Sequence, residues 1–511
     1  MRTLINLLLV FLFLGKGIAF AQIGNDRELE KYIEKARNDW EIPGLAVALI
    51  KNGEVIYSKG FGVKEMGGRE KVDENTLFSV ASNTKAFTAL SVGLLVQQGK
   101  LSWDDPVVKH MPEFKMYNPV LTQEITIRDF LSHQSGLGLW AGDLTWWESN
   151  YDREEVIRRL RYQKPVAGLH QKYLYSNMGY LVVGELVARV SGMTYDEFIK
   201  ENFLIPLEMT RSSTTVRTLN DIGNYAIPHS SVNGELSAIK QLNVDNCAPA
   251  AAMVTSINDL SHWVQMQLSK GMYNGKRIVE ENIIEETWKP QIAIGVNKWV
   301  KENLNPYTNF SNYGLGWRVF DFRGNFLVEH TGGLDGMLSY VGFIPEENLG
   351  VVLVTNSDQH DLQNCLPKYL FDRLLEEEEQ YDWSGNYLKI NKANKERRAK
   401  EKQKAEENYG KTEPILPLEA YCGEYISDIY GTATIYMVNG QIQIKLSAHP
   451  KITGKITFLE DSRFRARWDH RLWNESDMFF YMDWRNNITE FRMAVRPDWI
   501  DTIEYKWVKT E

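Results

Sequence analysis

In the first part of the chain, apolar positions come in short runs broken by turn residues. Residues 45–51 form an apolar run that closes on Lys51, Asn52-Gly53 is a strong turn signal, and Val55-Ile56-Tyr57 returns. A β-hairpin is expected over 44–64. Phe78–Ser82 then leads into 83–99, where Phe87, Leu90, Val92, Leu94 and Leu95 suit a buried helix that Gly99 closes. The same reading predicts helices over 153–161, 178–191, 195–203, 258–268 and 361–376. It predicts late strands over 326–329, 338–344 and 351–354. Helices fill the middle and strands the two ends. The expected fold class is α+β, an antiparallel sheet joining both ends and flanked by helices, plus a helical region.

The pattern then changes. Residues 376–379 and 395–407 are dense in charge and poor in core residues. They read as a solvated helix, followed by an extended stretch through Pro414 and Pro417. After Leu418 the period becomes two. Thr432–Tyr436 alternates, Asn439-Gly440 is a hairpin turn, and Ile442, Ile444 and Leu446 alternate back. Segments 455–467, 478–484, 490–494 and 502–507 continue this, giving a small all-β, barrel-like domain of about six to eight strands.

The first residues have the form of a cleaved leader. Arg2 is positive, residues 4–14 are almost wholly apolar, and Ala19-Phe20-Ala21 supplies a small-x-small cleavage site. The run is too short to span a bilayer. A secreted or periplasmic chain without a stable membrane anchor is expected, starting at Gln22. The boundaries read as a leader over 1–21, an α+β domain over 22–377, a charged linker over 378–416 and the all-β domain over 417–511. That last domain is also a candidate surface for self-association.

Composition narrows the function. The chain has 511 residues, more than one core usually holds. Its net charge is −9, and acidic residues interleave with Arg397-Arg398, so no nucleic-acid partner is expected. Cys247, Cys365 and Cys422 lie far apart without a CxxC, which points to buried thiols. There is no H-E-x-x-H. No metal and no cofactor are expected, and the partner is a small-molecule or peptide substrate.

Three short motifs offer chemistry. Ser82-Asn83-Thr84-Lys85 is an S-x-x-K at a predicted strand-to-helix junction. Residues three apart share a helix face, so the Lys amine reaches the Ser hydroxyl, and partial burial would make it a base. The helix N-terminus favours developing negative charge. Ser237-Ala238-Ile239-Lys240 has the same spacing but lacks the apolar run and the buried helix. Tyr175-Ser176-Asn177 precedes the helix at 178. Its phenol can shuttle a proton, and its amide can orient a substrate. Tyr307-Thr308-Asn309 is a rival in a polar loop. His330-Thr331-Gly332-Gly333 follows a predicted strand, with glycines where backbone must approach closely. Leu139, Trp140, Asp143, Trp146 and Trp147 form an aromatic cluster that can line a pocket or pack on the helical region.

In this order the three motifs resemble the class C β-lactamase and D-alanyl-D-alanine carboxypeptidase superfamily, with Y-x-N in place of S-D-N and H-T-G in place of K-T-G. The resemblance covers about residues 44–375. It includes Leu131–Leu137, Ala250–Met253, Tyr313–Trp317 and Gly333–Gly336. The C-terminal part is similar to the lipocalin-like domain of one subgroup, through Tyr421–Tyr425 and Tyr430–Thr432.

The resemblance implies that Ser82 attacks an acyl carbonyl while Lys85 and Tyr175 relay its proton. It implies an oxyanion hole from the backbone of Ser82 and Gly333 and an acyl amide held by Asn177. Thr331, Gly332 and Gly333, with Asp143 and Trp146 of the aromatic cluster, are the further candidate substrate contacts. His330 would assist the shuttle or meet a substrate carboxylate. A neutral His in place of a Lys weakens carboxylate recognition and argues against a dedicated β-lactamase. The expected function is a serine hydrolase acting on D-amino-acid peptides, related amides or esters. A β-lactamase, an acyltransferase of the same chemistry and a non-catalytic penicillin-binding protein are the alternatives.

Overall fold

The computed structural model describes residues 26–510 apart from 233, 379–380, 408, 410–411 and 496–502. The leader expected over 1–21 lies outside the described residues.

The N-terminal hairpin forms from β1 (Gly44–Lys51) and β2 (Glu54–Gly62). Asn52 and Gly53 take φ of 55° and 80°, the left-handed pair that a tight primed turn requires. β1 is buried on both sides. Leu45, Val47 and Leu49 enter one core, and Ala46, Ala48 and Ile50 enter another. This is why it reads as an unbroken apolar run rather than an alternating one.

Six more strands complete the sheet: β3 (Ile292–Ala293), β4 (Ser311–Tyr313), β5 (Arg318–Phe322), β6 (Asn325–Leu334), β7 (Met337–Ile344) and β8 (Leu349–Thr355). The order is β2-β1-β8-β7-β6-β5-β4-β3, with every neighbouring pair antiparallel. β1 beside β8 joins the two ends of the domain, as the pattern required. β3 to β5 were not anticipated, because they are short and set among polar turns.

Helices cover both faces. On one face lie α2 (Thr84–Gln97), α3 (Asn177–Ser191) and α4 (Ile257–Leu268). α2 is buried from Thr84 through Leu95, which suits a helix that is apolar all round. The other face holds α1 (Arg27–Asp39), α5 (Leu362–Leu374) and the start of α6 (Trp383–Glu406). Trp383 and Tyr387 are buried in this core. The charged remainder of α6 is largely exposed, as its composition demanded.

The C-terminal part is a closed eight-stranded antiparallel barrel: β9 (Gly423–Ser427), β10 (Gly431–Val438), β11 (Gln441–Leu446), β12 (His449–Glu460), β13 (Arg463–Trp468), β14 (Glu475–Met482), β15 (Ile488–Met493) and β16 (Tyr505–Lys509). Asn439 and Gly440 make the β10–β11 turn with φ of 48° and 77°. Ile442, Ile444 and Leu446 point inward. One continuous buried cluster runs from the helical side of the sheet through Trp146 and Trp147 to Trp473 and the barrel interior. Cys247, Cys365 and Cys422 are free thiols, the first two buried.

Candidate active site

The chain arrives at Ser82 through Ala81, a buried non-glycine residue with φ of 48°. Such a conformation costs roughly 1 kcal/mol or more, and strain of this kind gathers at functional sites. A 3-10 turn over Ala81–Asn83 then feeds α2, so Ser82 stands at the helix head. Lys85 follows one turn later. Its Nζ lies 3.0 Å from Ser82 Oγ, 2.6 Å from Asn177 Oδ1 and 3.0 Å from the Ala250 carbonyl. The side chain is fully buried. That burial pushes its amine down to about 7, against the opposing pull of the Asp143 carboxylate.

Tyr175 sits on the other side of Ser82. Its hydroxyl donates to Ser82 Oγ at 2.8 Å. Burial holds this phenol well above its ordinary range, so it stays protonated at neutral pH. The ring packs 4.3 Å from His133 and lies 4.8 Å from Lys85 Nζ. His133 Nδ1 accepts the Ser176 N–H, so this histidine satisfies local backbone.

Asn177 opens α3 and bridges Asp143 and Lys85. Its Nδ2 donates to Asp143 Oδ2 at 2.6 Å while its Oδ1 accepts from Lys85. A carboxylate only accepts, so this partner fixes which end of the amide faces the lysine. Asp143 also accepts from Trp146 Nε1 at 2.9 Å.

His330 lies inside β6 rather than after a strand. Its Nδ1 is 2.6 Å from the Thr331 carbonyl, and its Nε2 is 2.8 Å from Tyr313 OH. The carbonyl only accepts, so Nδ1 carries the hydrogen and Nε2 accepts a hydrogen bond from the Tyr313 hydroxyl. Burial, reinforced by the Lys85 charge, pushes the imidazole down to about 3. The ring is therefore neutral, and both its nitrogens are engaged within the fold. Gly332 explains itself by distance. A Cβ there would lie 2.0 Å from the Val80 carbonyl and 2.4 Å from Ser339 Oγ, so only glycine lets β6 lie against the turn before Ser82.

A cleft of about 410 Å³ opens over these groups. Ser82, Asp143, Trp146, Tyr175, Asn177, His330, Thr331 and Gly333 line it, and Lys85 and Gly332 lie behind. The sequence reading missed Arg318, at the start of β5, which also lines the cleft. Its guanidinium lies 3.8 Å from Glu329 and is 38% exposed, a permanent cation beside neutral His330. The only trace in the sequence is its place after Tyr313–Trp317. The rival motifs lie elsewhere. Ser237 ends up in a partly exposed two-stranded hairpin (Glu235–Ala238), and Lys240 is exposed. Tyr307 packs on Arg323 at 3.6 Å.

Among the described residues no cluster of His, Cys, Asp and Glu has the form of a metal site, and no helix is long and apolar enough to cross a membrane.

Known proteins place this arrangement. Residues 29–369 match the Beta-lactamase family, and 408–505 match a domain of unknown function (DUF3471). Protein flp of Staphylococcus aureus (strain NCTC 8325 / PS 47) is 29% identical over 65% of this chain, which spans 63% of that relative's length. The unguisins hydrolase of Aspergillus violaceofuscus (strain CBS 115571) is 26% identical over 81% of the chain and 76% of its own length. The fold is similar to the octameric penicillin-binding protein homologue from Pyrococcus abyssi, with a TM-score of 0.60 at 22% identity over 95% of this chain and 100% of that one. A class C β-lactamase gives 0.56 at 20% identity over 69% of this chain and 96% of its own. These relationships support serine hydrolase chemistry in general. With the match covering well over half of its residues, the chain belongs to the β-lactamase family.

Proposed function

We propose that this chain is an exported serine hydrolase that forms an acyl-enzyme on Ser82 and acts on D-amino-acid peptides, related amides or esters. The observation that carries this reading is the set of partners around Lys85 Nζ. A neutral amine has two hydrogens and one lone pair. Asn177 Oδ1 and the Ala250 carbonyl are acceptors and take both hydrogens. The lone pair is left facing Ser82 Oγ at 3.0 Å. An amine whose burial brings it down to about 7 has this neutral form available at physiological pH.

The steps follow from that geometry. Ser82 Oγ bonds to the acyl carbon as Lys85 takes its proton, and the bond to the leaving group breaks. Tyr175, protonated and on the same oxygen, hands a proton to the leaving group and recovers one from Lys85. Water then repeats the sequence in reverse and frees Ser82. The head of α2, with the backbone N–H groups of Ser82 and Gly333, supports the oxyanion. Asn177 holds an acyl amide. Trp140, Trp146 and Tyr173 give the cleft an aromatic wall suited to an apolar acyl group. His330 is neutral and committed to Tyr313, so recognition of a substrate carboxylate falls to Arg318.

The test is turnover on a panel of D-amino-acid peptides, simple amides, activated esters and a penicillin, with Ser82→Ala alongside. The reading expects product from at least one peptide, amide or ester, abolished in Ser82→Ala. Failure on every member, or equal turnover by Ser82→Ala, would overturn it.

A further inference from the structure

One wall of the cleft is the segment 138–151, which carries Trp140, Asp143 and Trp146. Its only regular element is a 3-10 turn over Asp143–Thr145. Backbone of this kind needs partners from outside to stay in one place. The precision matters, because Asp143 holds the Asn177 amide at the cleft wall.

Many of those partners belong to the barrel. His449, the first residue of β12, donates from Nε2 to the Trp147 carbonyl at 2.9 Å. The Asn150 N–H donates to the Ala448 carbonyl at 2.9 Å. Tyr505, the first residue of β16, accepts the Gly142 N–H at 3.2 Å and donates to Gln163 Oε1 at 2.9 Å, so one hydroxyl ties the segment to the barrel and is itself anchored to Gln163. The Trp147 indole is fully buried, 5.5 Å from Trp473. At Gly138 a Cβ would lie 2.4 Å from Ile503 Cδ1. His449 is 1% exposed, and burial pushes its imidazole down to about 4, which keeps this tie neutral and intact across the physiological range.

We infer that the barrel is a working part of the active site. His449 and Tyr505 are positioning residues that hold the 138–151 wall, and through Asp143 the Asn177 amide, in register with Ser82. This rests on the hydrolase reading above. It gives the C-terminal domain a role distinct from a tethered binding module, because its removal would release the wall.

The experiment uses the full chain with His449→Leu, His449→Gln, Tyr505→Phe and the double variant His449→Leu/Tyr505→Phe. Each is assayed on the best amide substrate of the panel and on p-nitrophenyl acetate, with the unfolding midpoint measured beside it. In a folded double variant, kcat/KM on the amide should fall on the order of tenfold or more. The loss on p-nitrophenyl acetate should be smaller, because its acetyl group offers Asn177 no amide to hold. His449→Gln keeps an N–H donor for Trp147 and should retain most activity. An unchanged kcat/KM on the amide, or equal losses on both substrates, would overturn the inference and leave the hydrolase reading standing. A wild type inactive on every substrate would overturn both. Where the double variant does not fold, Tyr505→Phe, which loses one hydroxyl and keeps the ring, is judged by the same two criteria.

Discussion

The chain carries Ser-x-x-Lys twice, at Ser82 and at Ser237. At Ser82 the motif spans a strained turn and the first turn of a buried helix. Lys85 is fully buried, and acceptors claim its hydrogens. At Ser237 the motif runs off a short hairpin, and Lys240 is exposed. The Tyr-x-Asn pair repeats the lesson. Tyr175 touches Ser82, whereas Tyr307 stacks on Arg323 in the other core. Spacing brings an amine near a hydroxyl. On the proposed reading, burial together with acceptors for its hydrogens makes that amine a base.

The contrast can be broken by substitution. Ser82→Ala should show the largest effect, a loss of kcat/KM on the order of 10⁴-fold or more in hydrolysis assays. Ser237→Ala should leave the rate unchanged. Lys85→Met and Tyr175→Phe remove the proton acceptor and the proton donor, and each should cost roughly 10²–10⁴-fold. Tyr307→Phe should keep wild-type activity. Activity should also depend on pH with a defined sign. Protonated Lys85 has no lone pair, so kcat/KM should rise with pH through about 7, and a profile flat between pH 5 and 8 would break the assignment.

Smaller effects sharpen the account. Arg318→Ala should raise KM for substrates bearing a free carboxylate by roughly tenfold, the scale of one charged hydrogen bond, and spare neutral esters. The double variant Ser237→Ala/Lys240→Ala should change activity by less than about twofold, as surface substitutions do.

Much of the fold was legible in the sequence. Asn52-Gly53 and Asn439-Gly440 announced two hairpins because few other pairs tolerate successive left-handed residues. The uninterrupted apolar content of 84–95 announced a central helix. The joining of β1 to β8 followed from strands at both ends. The less legible features depend on distant contacts. Arg318 is a lone cation after a turn, with no period to mark it. The Ala250 carbonyl is backbone, and no side-chain motif reports it. The choice of Asp143 as the Asn177 partner depends on a loop whose shape comes partly from residues about 300 positions later, as with His449 and Trp147. Local propensity carries no record of such pairings.

The most direct test is to trap the acyl-enzyme. Wild type is quenched in acid during turnover of an activated ester or a penicillin, digested, and mapped by mass spectrometry. The account predicts one acyl group on the peptide containing Ser82, none on the peptide containing Ser237, and none anywhere in Ser82→Ala. Product formation with no adduct on Ser82, or an adduct that persists in Ser82→Ala, would contradict it.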